Sequence, residues 1–389
     1  MGFQFIDRQP QLEQAVATIL QQDAVAVDTE SSSFYTYESE LCLIQISSRG
    51  NHFIIDALAK LNWDGLGEVF ENEAITKVMH TAASDITELR RIQSFKFNNL
   101  FDVMVGCRML AFPSCSLVSL VKHYTGKDLE KTEQKSNWKK RPLSASQLEY
   151  AHRDTIYLEE IWSRMENELK QFKFLEEFNQ DMNRIIKESF PVERVYDPDS
   201  WKWISGSMRL PPARRGFLKA LLELREARAR KENIAPFRLG SNDGLLRIAE
   251  RSPDSVAELY EMGLHPDFVK KDGDKILDAR NRAPEIRNSD VPRESRRAPD
   301  QLMGILKKWR KDVADYRGFD TSIILSNRQL EQIVDARPAH MEDLKAMDLM
   351  SDWKLANYGP MILEILAGKN PAMPAHLSRI PPEKRRVEF

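Results

Sequence analysis

The sequence predicts an α/β domain, a mixed sheet flanked by helices, followed by two copies of a small all-α module. Two observations carry this reading. Short β-prone runs bounded by turn residues fill the first third of the 389-residue chain, interleaved with helical periodicity. Beyond residue 211 strand signals give way to helical ones, and the chain repeats itself without a gap, Leu221 aligning with Leu306 at an offset of 85. A chain this long exceeds one ordinary core, so two or three domains are expected. Hydrophobic and charged contents of 42% and 30% fit a soluble globular protein, and no apolar run reaches bilayer-spanning length. The start lacks a basic segment followed by an apolar one, so a secretory signal is not expected and the cytoplasm is the expected compartment. Cys42, Cys107 and Cys115 lack metal-type spacing and are expected to be separate thiols in a reducing compartment.

Taken in order, AVAVD (Ala24 to Asp28), LCLIQIS (Leu41 to Ser47) and HFIIDA (His52 to Ala57) read as strands, with SSRGN closing a hairpin between the last two. AITKVMH (Ala74 to His80) is a further strand, and a helix begins near Ser84. Asp102 sits in an apolar stretch that is either strand-to-helix or wholly helical. Apolar positions at helical spacing from Ser144 to Phe174 predict one long helix. The expected organisation is an α/β domain at 1–175, a connector at 176–210, helical modules at 211–280 and 298–368 joined by a linker at 281–297, and a tail at 369–389. The repeat is more than shared helical periodicity. Arg225, Ser241, Asn242 and Pro253 recur as Arg310, Ser326, Asn327 and Pro338, and periodicity alone would match only apolar positions. Most repeated Leu, Ile and Met positions are core; the paired arginines are structural partners or phosphate contacts.

The chemistry lies in the first 155 residues. Asp28 and Glu30 follow a buried-strand pattern, and alternation points both to one side of the strand. Two carboxylates ending such a strand are costly unless cations or donors receive them. Taken singly, Asp85 is as well explained as a helix cap, Asp154 as a surface residue, and His80 as a positioned polar group. Tyr150 lies four residues before Asp154, on the same helical face. Brought to one point, Asp28, Glu30, Asp85 and Asp154 would form an oxygen-rich cage for hard divalent cations of the kind that activate water against a phosphodiester. The net charge of −2 does not mark a nucleic-acid binder, but residues 205–231 concentrate basic side chains, among them Arg214, Arg215, Arg228 and Lys231. Such a run is often a mere solvated face, yet phosphate must be attracted somewhere other than to the carboxylates.

The segments AVAVDTE, KVMHTAASDITEL and QLEYAHRDTIYL, in this order, resemble the three motifs of the DEDD exonuclease superfamily, in the subgroup with tyrosine in the third motif. LCLIQIS, His80 five residues before Asp85, and the Trp138–Leu143 segment WKKRPL look like the bacterial ribonuclease D family. The repeated modules resemble helicase-and-ribonuclease-D C-terminal (HRDC) domains. His152 and Arg153 depart mildly from the small residues common there. The resemblance implies a ribonuclease H-like catalytic domain that hydrolyses RNA from its 3′ end to nucleoside 5′-monophosphates with two Mg²⁺ or Mn²⁺ ions. It implies Asp28 bridging the two ions, Glu30 and Asp154 completing the site of the attacking water, Asp85 at the second ion through water, and Tyr150 orienting the nucleophile. The implied partner is RNA with a free 3′ end, such as a tRNA precursor, with His80, Arg214, Arg215, Arg228 and Lys231 as candidate contacts. No membrane and no obligate protein partner are implied, and a monomer is expected. A DNA exonuclease of the same superfamily and an inactive nucleic-acid-binding protein are the competing readings.

Overall fold

Six strands form one mixed sheet in the order β1-β4-β3-β2-β5-β6. They are β1 (Gln4–Ile6), β2 (Ala24–Ser31), β3 (Leu41–Ser48), β4 (Asn51–Asp56), β5 (Thr76–Met79) and β6 (Leu100–Asp102). The computed structural model describes residues 2–130, 133–290 and 301–381. Part of the expected linker, the start of the second module and the end of the tail, with its Glu-Lys-Arg-Arg run, lie outside the described residues. The β3–β4 hairpin turns on Arg49 and Gly50, with φ of 46° and 82°, and Ser48 pairs with Asn51. Positive φ at both positions is the turn whose twist matches that of the strands, and glycine takes the second at no steric cost. Strand β2 is central and parallel to β5, with Ala24 opposite Thr76. Ala24 through Val27 are fully buried, which is why this strand reads as a continuous apolar run.

Around the sheet lie α1 (Gln9–Ile19), α2 (Asp64–Glu71), α3 (Ala82–Ile92), α4 (Val103–Met109), α5 (Leu117–Thr125), α6 (Ala145–Arg153), α7 (Leu158–Gln171) and α8 (Leu175–Glu188). Asp102 ends a strand and caps the helix that follows, its side chain accepting from the Met104 amide. The single helix expected from Ser144 to Phe174 is instead two, α6 and α7, separated by a turn at 154–157. Thr155 is tied there to Ser47 on the sheet, Oγ1 to Oγ at 2.6 Å, and the Thr155 carbonyl accepts from the Leu158 amide. Apolar periodicity carries on across the turn because both helices bury the same side, so periodicity could not reveal the break. The cysteine expectation also needs correction. Cys107 and Cys115 are joined in a disulfide, leaving Cys42 as a thiol, so the inference from three thiols to a reducing compartment loses its basis.

The first module comprises α9 (Pro212–Glu232), α10 (Pro236–Leu239), α11 (Asn242–Arg251), α12 (Val256–Glu261) and α13 (Pro266–Arg282). The second comprises α14 (Gln301–Arg317), α15 (Thr321–Ile324), α16 (Asn327–Ala336), α17 (Met341–Ala346) and α18 (Asp352–Leu366). The starts of α10, α11 and α12 recur 85 residues later at α15, α16 and α17. The matched arginines do the same work in each: Arg225 Nη1 donates to the Gly240 carbonyl and Arg310 Nη1 to the Leu325 carbonyl, both at 2.7 Å. That bond gives both arginines a structural task.

The described residues fall into two compact units. The first combines the α/β domain, without the Ser31–Glu40 segment, with the second module. Its core runs from the sheet through α7 and α8 into α14, α16 and α18. Phe174 meets Phe319 edge-on at 4.7 Å, and Glu177 pairs with Arg317 at 2.7 Å, with 1% and 0% of their side chains exposed. Burial pushes the Glu177 carboxyl up while Arg317 and Lys354 pull it back. The second unit contains the Ser31–Glu40 segment with the first module. Within it the Ala235 amide donates to the Tyr35 carbonyl at 3.0 Å and the Tyr37 hydroxyl to Glu226. No helix among the described residues is long and apolar enough to cross a membrane.

Candidate functional site

Strand β2 carries Asp28 and Glu30 at its carboxyl end, where its buried run emerges from the core. Helix α6 brings Tyr150 and, at its C-cap, Asp154. A reciprocal cap at its start fixes this helix: Ser144 Oγ accepts from the Gln147 amide at 3.1 Å, and Gln147 Oε1 accepts from the Ser144 amide at 3.0 Å. Oxygens of Asp28, Glu30 and Asp154 lie within 4.8 Å of one another, and all three side chains are half-buried. Asp85, in the first turn of α3, is 5% exposed and sits on the same cavity wall, outside that triplet. Its Oδ1 accepts from Thr29 Oγ1 at 2.6 Å. The cavity, about 450 Å³, is lined by all four carboxylates, Tyr150, His80, Met104 and Ser116 among others.

The electrostatics are those of crowded like charge. Burial, then the Asp28, Asp154 and Asp85 charges, push the Glu30 carboxyl up to about 10. Burial alone pushes Asp28 up to about 7, against a backbone hydrogen bond from Thr29. Asp85 is raised well above the usual carboxylate range by burial and by Asp28. Burial and the Asp154, Glu30 and Asp28 charges hold the Tyr150 hydroxyl protonated far into the alkaline range, and it hydrogen-bonds the Asp154 side chain. Such a donor set, all oxygen, anionic and mutually repelling, fits hard divalent cations.

Three residues outside the expected site set hold this arrangement. Thr29, between the two acidic residues of β2, ties that strand to Asp85. Asp102 is 3% exposed, and its oxygens accept from the amides of Thr81 at 3.1 Å and Ala82 at 2.9 Å, which fixes the start of α3 beside its own helix. Its place at a strand-to-helix junction was the available signal. Arg141 grips Asp56 through two hydrogen bonds of 2.7 and 2.6 Å and holds the segment in which Trp138, fully buried, meets the Tyr150 ring at 6.0 Å. Asp85 does not cap α3; Asp102 takes that task from a distance.

His80 lines the cavity, and its Nε2 is 2.8 Å from the Cys115 carbonyl. Of the basic candidates, Lys231 is exposed and Arg214 half-exposed. Arg215 and Arg228 already have internal partners. Arg215 is buried on Asn288 and the Met208 carbonyl, at 2.6 and 2.7 Å, and Arg228 is committed to Asp272 and Glu232, at 2.6 and 2.8 Å.

A 3′-5′ exonuclease family model matches residues 3–170, and the HRDC domain matches residues 214–279 and 300–366. The chain is 26% identical over 374 residues to ribonuclease D of Bartonella henselae, covering 92% of this chain and 88% of that one. It is 24% identical to ribonuclease D of Escherichia coli, covering 91% and 96%. Among solved structures it resembles the catalytic core of RRP6 from Trypanosoma brucei, at 29% identity and a TM-score of 0.64, covering 71% of this chain and 78% of that one.

Proposed function

From a chain that belongs to the ribonuclease D family and is a 3′-to-5′ exoribonuclease, we propose that Asp28, Glu30, Asp85, Asp154 and Tyr150 form the active site for trimming structured RNAs, tRNA precursors among them. The observation that carries the site assignment is the meeting of Asp28, Glu30 and Asp154, from segments more than a hundred residues apart, with oxygens within 4.8 Å.

The family and the acidic cluster imply divalent metals; we take them to be two Mg²⁺ or Mn²⁺ ions. When bound, such ions supply a nucleophile at neutral pH and offset the phosphate charge. The chain's own residues supply position. Asp28, Glu30 and Asp154 present oxygens to one point, with Asp85 facing it from α3. Tyr150 keeps its proton at any physiological pH, so it acts as a hydrogen-bond donor that orients water or a phosphoryl oxygen, not as a base. The Trp138 ring behind it and the bond to Asp154 limit where its hydroxyl can go. His80, held by the Cys115 carbonyl on the cavity wall, is suited to contact the terminal nucleotide. Arg214 and Lys231 remain the exposed basic candidates for backbone contact in the first module.

The test uses RNA and DNA of equal sequence, labelled at the 5′ end, incubated with Mg²⁺ or Mn²⁺ with and without chelator. RNA should shorten stepwise from its 3′ end, only with metal, and a tRNA precursor with a 3′ extension should be trimmed faster than a blunt duplex. Equal shortening of DNA would revive the competing superfamily reading, and shortening in chelator would remove the carboxylates from the mechanism.

A further inference from the structure

In the second unit, away from every residue discussed as catalytic in sequence, the first module holds a cavity of about 350 Å³. Arg194, Arg225, Phe237, Asn242 and Asp243 line it. Its chemistry is mixed in an informative way. Arg225 is 8% exposed; Nη1 donates to the Gly240 carbonyl, and Nε has no hydrogen-bond partner. The cavity also takes in the amino end of α11, a 10-residue helix. There Ser241 Oγ accepts the Gly244 amide at 3.0 Å, leaving the Asn242 and Asp243 amides without helical acceptors. Arg194 is half-exposed, with its guanidinium 4.7 Å over the Tyr37 ring and a long 3.5 Å contact to Glu226. Phe237 is 47% exposed and presents its ring beside this cationic end, edge-on to Phe34 at 5.1 Å.

The internal repeat supplies a control. In the second module Arg310 makes the same carbonyl bond but also donates from Nη2 to Asn327 at 3.0 Å, a pairing that Arg225 does not make with Asn242. The position of Phe237 is taken there by Ser322 and that of Asp243 by Arg328. The two copies share a scaffold and an unpartnered arginine Nε; the aromatic face and a guanidinium not tied to the asparagine at the helix start belong to the first alone. An aromatic ring beside converging cationic groups and free amides is the combination that holds one nucleotide of a single strand. Asp243 at the rim opposes an anion and sets an upper bound on affinity.

We infer that this cavity is a subsite for single-stranded RNA, binding one phosphate between Arg194, Arg225 and the amino end of α11 and stacking the adjoining base on Phe237. The inference rests on the exoribonuclease reading for its choice of RNA as the strand. The test uses the full-length chain in chelator, so that RNA stays intact, with a fluorescent oligouridylate and anisotropy read across a salt series. Phe237→Ala should raise Kd about five- to fiftyfold. Arg194→Gln should raise Kd and reduce the slope of log K against log salt by about 0.7, one single-strand phosphate. Asp243→Asn should tighten binding about twofold or more. Hydrolysis of a dinucleotide with Mg²⁺ should be the same in all variants. Arg225 is left unvaried because its carbonyl bond is part of the module's core. A parent chain that shortens RNA while the three variants match it in Kd and salt slope overturns the subsite alone. A parent that binds the strand with the expected variant pattern but never shortens it sinks the exonuclease reading and leaves the subsite standing.

Discussion

Replacing Asp28 by Asn should make the metal-free protein more stable while abolishing hydrolysis. Two unit charges 4.8 Å apart repel by about 3.5 kcal/mol at an effective dielectric of 20. With three carboxylates inside that distance, full ionisation would count three such pairs. Glu30, pushed up to about 10, is protonated at neutral pH and removes its own two pairs. The Asp28–Asp154 pair is left, about half populated at pH 7 because Asp28 is itself pushed up to about 7, and water and salt screen part of it. Asn keeps the shape of Asp and removes the charge, so a gain of about 1–3 kcal/mol is expected in chelator. The assay is urea unfolding of parent and variant in EDTA, alongside cleavage of labelled RNA in Mg²⁺. Adding Mg²⁺ should stabilise the parent strongly and the variant little, because a ligand stabilises only the state that binds it. A variant less stable than the parent in EDTA, or one that still turns over with ordinary metal dependence, would refute the reasoning.

Burial, with crowding added at Glu30, sets a pH dependence. The folded-state values of Asp28 and Glu30 are raised above those of an unfolded chain, so the folded protein keeps protons that the unfolded chain has released. Their contribution is therefore least unfavourable below about pH 4 and worsens as pH rises through about 7 and then about 10. Melting temperature in EDTA should fall from pH 5 to pH 9 more steeply for the parent than for Asp28→Asn, and equal slopes would contradict this. Tyr150→Phe should slow the single-turnover rate by about tenfold to a hundredfold with RNA affinity nearly unchanged; a Kd change as large as the rate change would make Tyr150 a binding group instead. Arg317→Met should destabilise the first unit by about 3–5 kcal/mol in urea unfolding, since it strands Glu177 in the core. Adding Glu177→Leu should restore much of that loss, and a double variant no better than the single would show that packing of the Arg317 stem, not the charge, is what was lost.

Local pattern revealed each strand that is long or turn-bounded. Strands β2, β3 and β4 and the hairpin turn follow from apolar runs punctuated by Arg49-Gly50, because both signals are local. The three-residue strands β1 and β6 carry too few side chains for a period to register. The turn between α6 and α7 was hidden for the opposite reason: Leu148, Ala151, Leu158 and Ile161 continue one apolar stripe while Thr155, the residue tied to the sheet, is polar and unremarkable in sequence. The pairing of Cys107 with Cys115 depends on the loop after α4 folding back, which eight residues of spacing do not determine.

The modules show where legibility stops most clearly. Their repeat was visible at 85 residues because a helical fold constrains Arg225 and Arg310, Ser241 and Ser326, to the same internal tasks. What each copy packs against is not an internal task, and it rests on residues the repeat does not share. Arg317 aligns with Glu232, and only Arg317 meets a buried carboxylate, on α8, with Phe319 and Trp353 around its guanidinium at 4.1 and 4.9 Å. The second module is thereby part of the core of the α/β domain. A truncation beginning at residue 205, natural on the reading of three beads in sequence, would remove part of that core, and its lost RNA binding would report unfolding. The charge run at 205–231 shows a related limit. Sequence counts charges without their partners, and Arg215 and Arg228 are already bound to Asn288, Asp272 and Glu232. The carboxylates of the site were legible for the converse reason: four acidic residues stand where apolar strands and helices end, and partners such as Thr29 for Asp85 and Tyr150 for Asp154 are neutral, so the crowded charge still calls for cations.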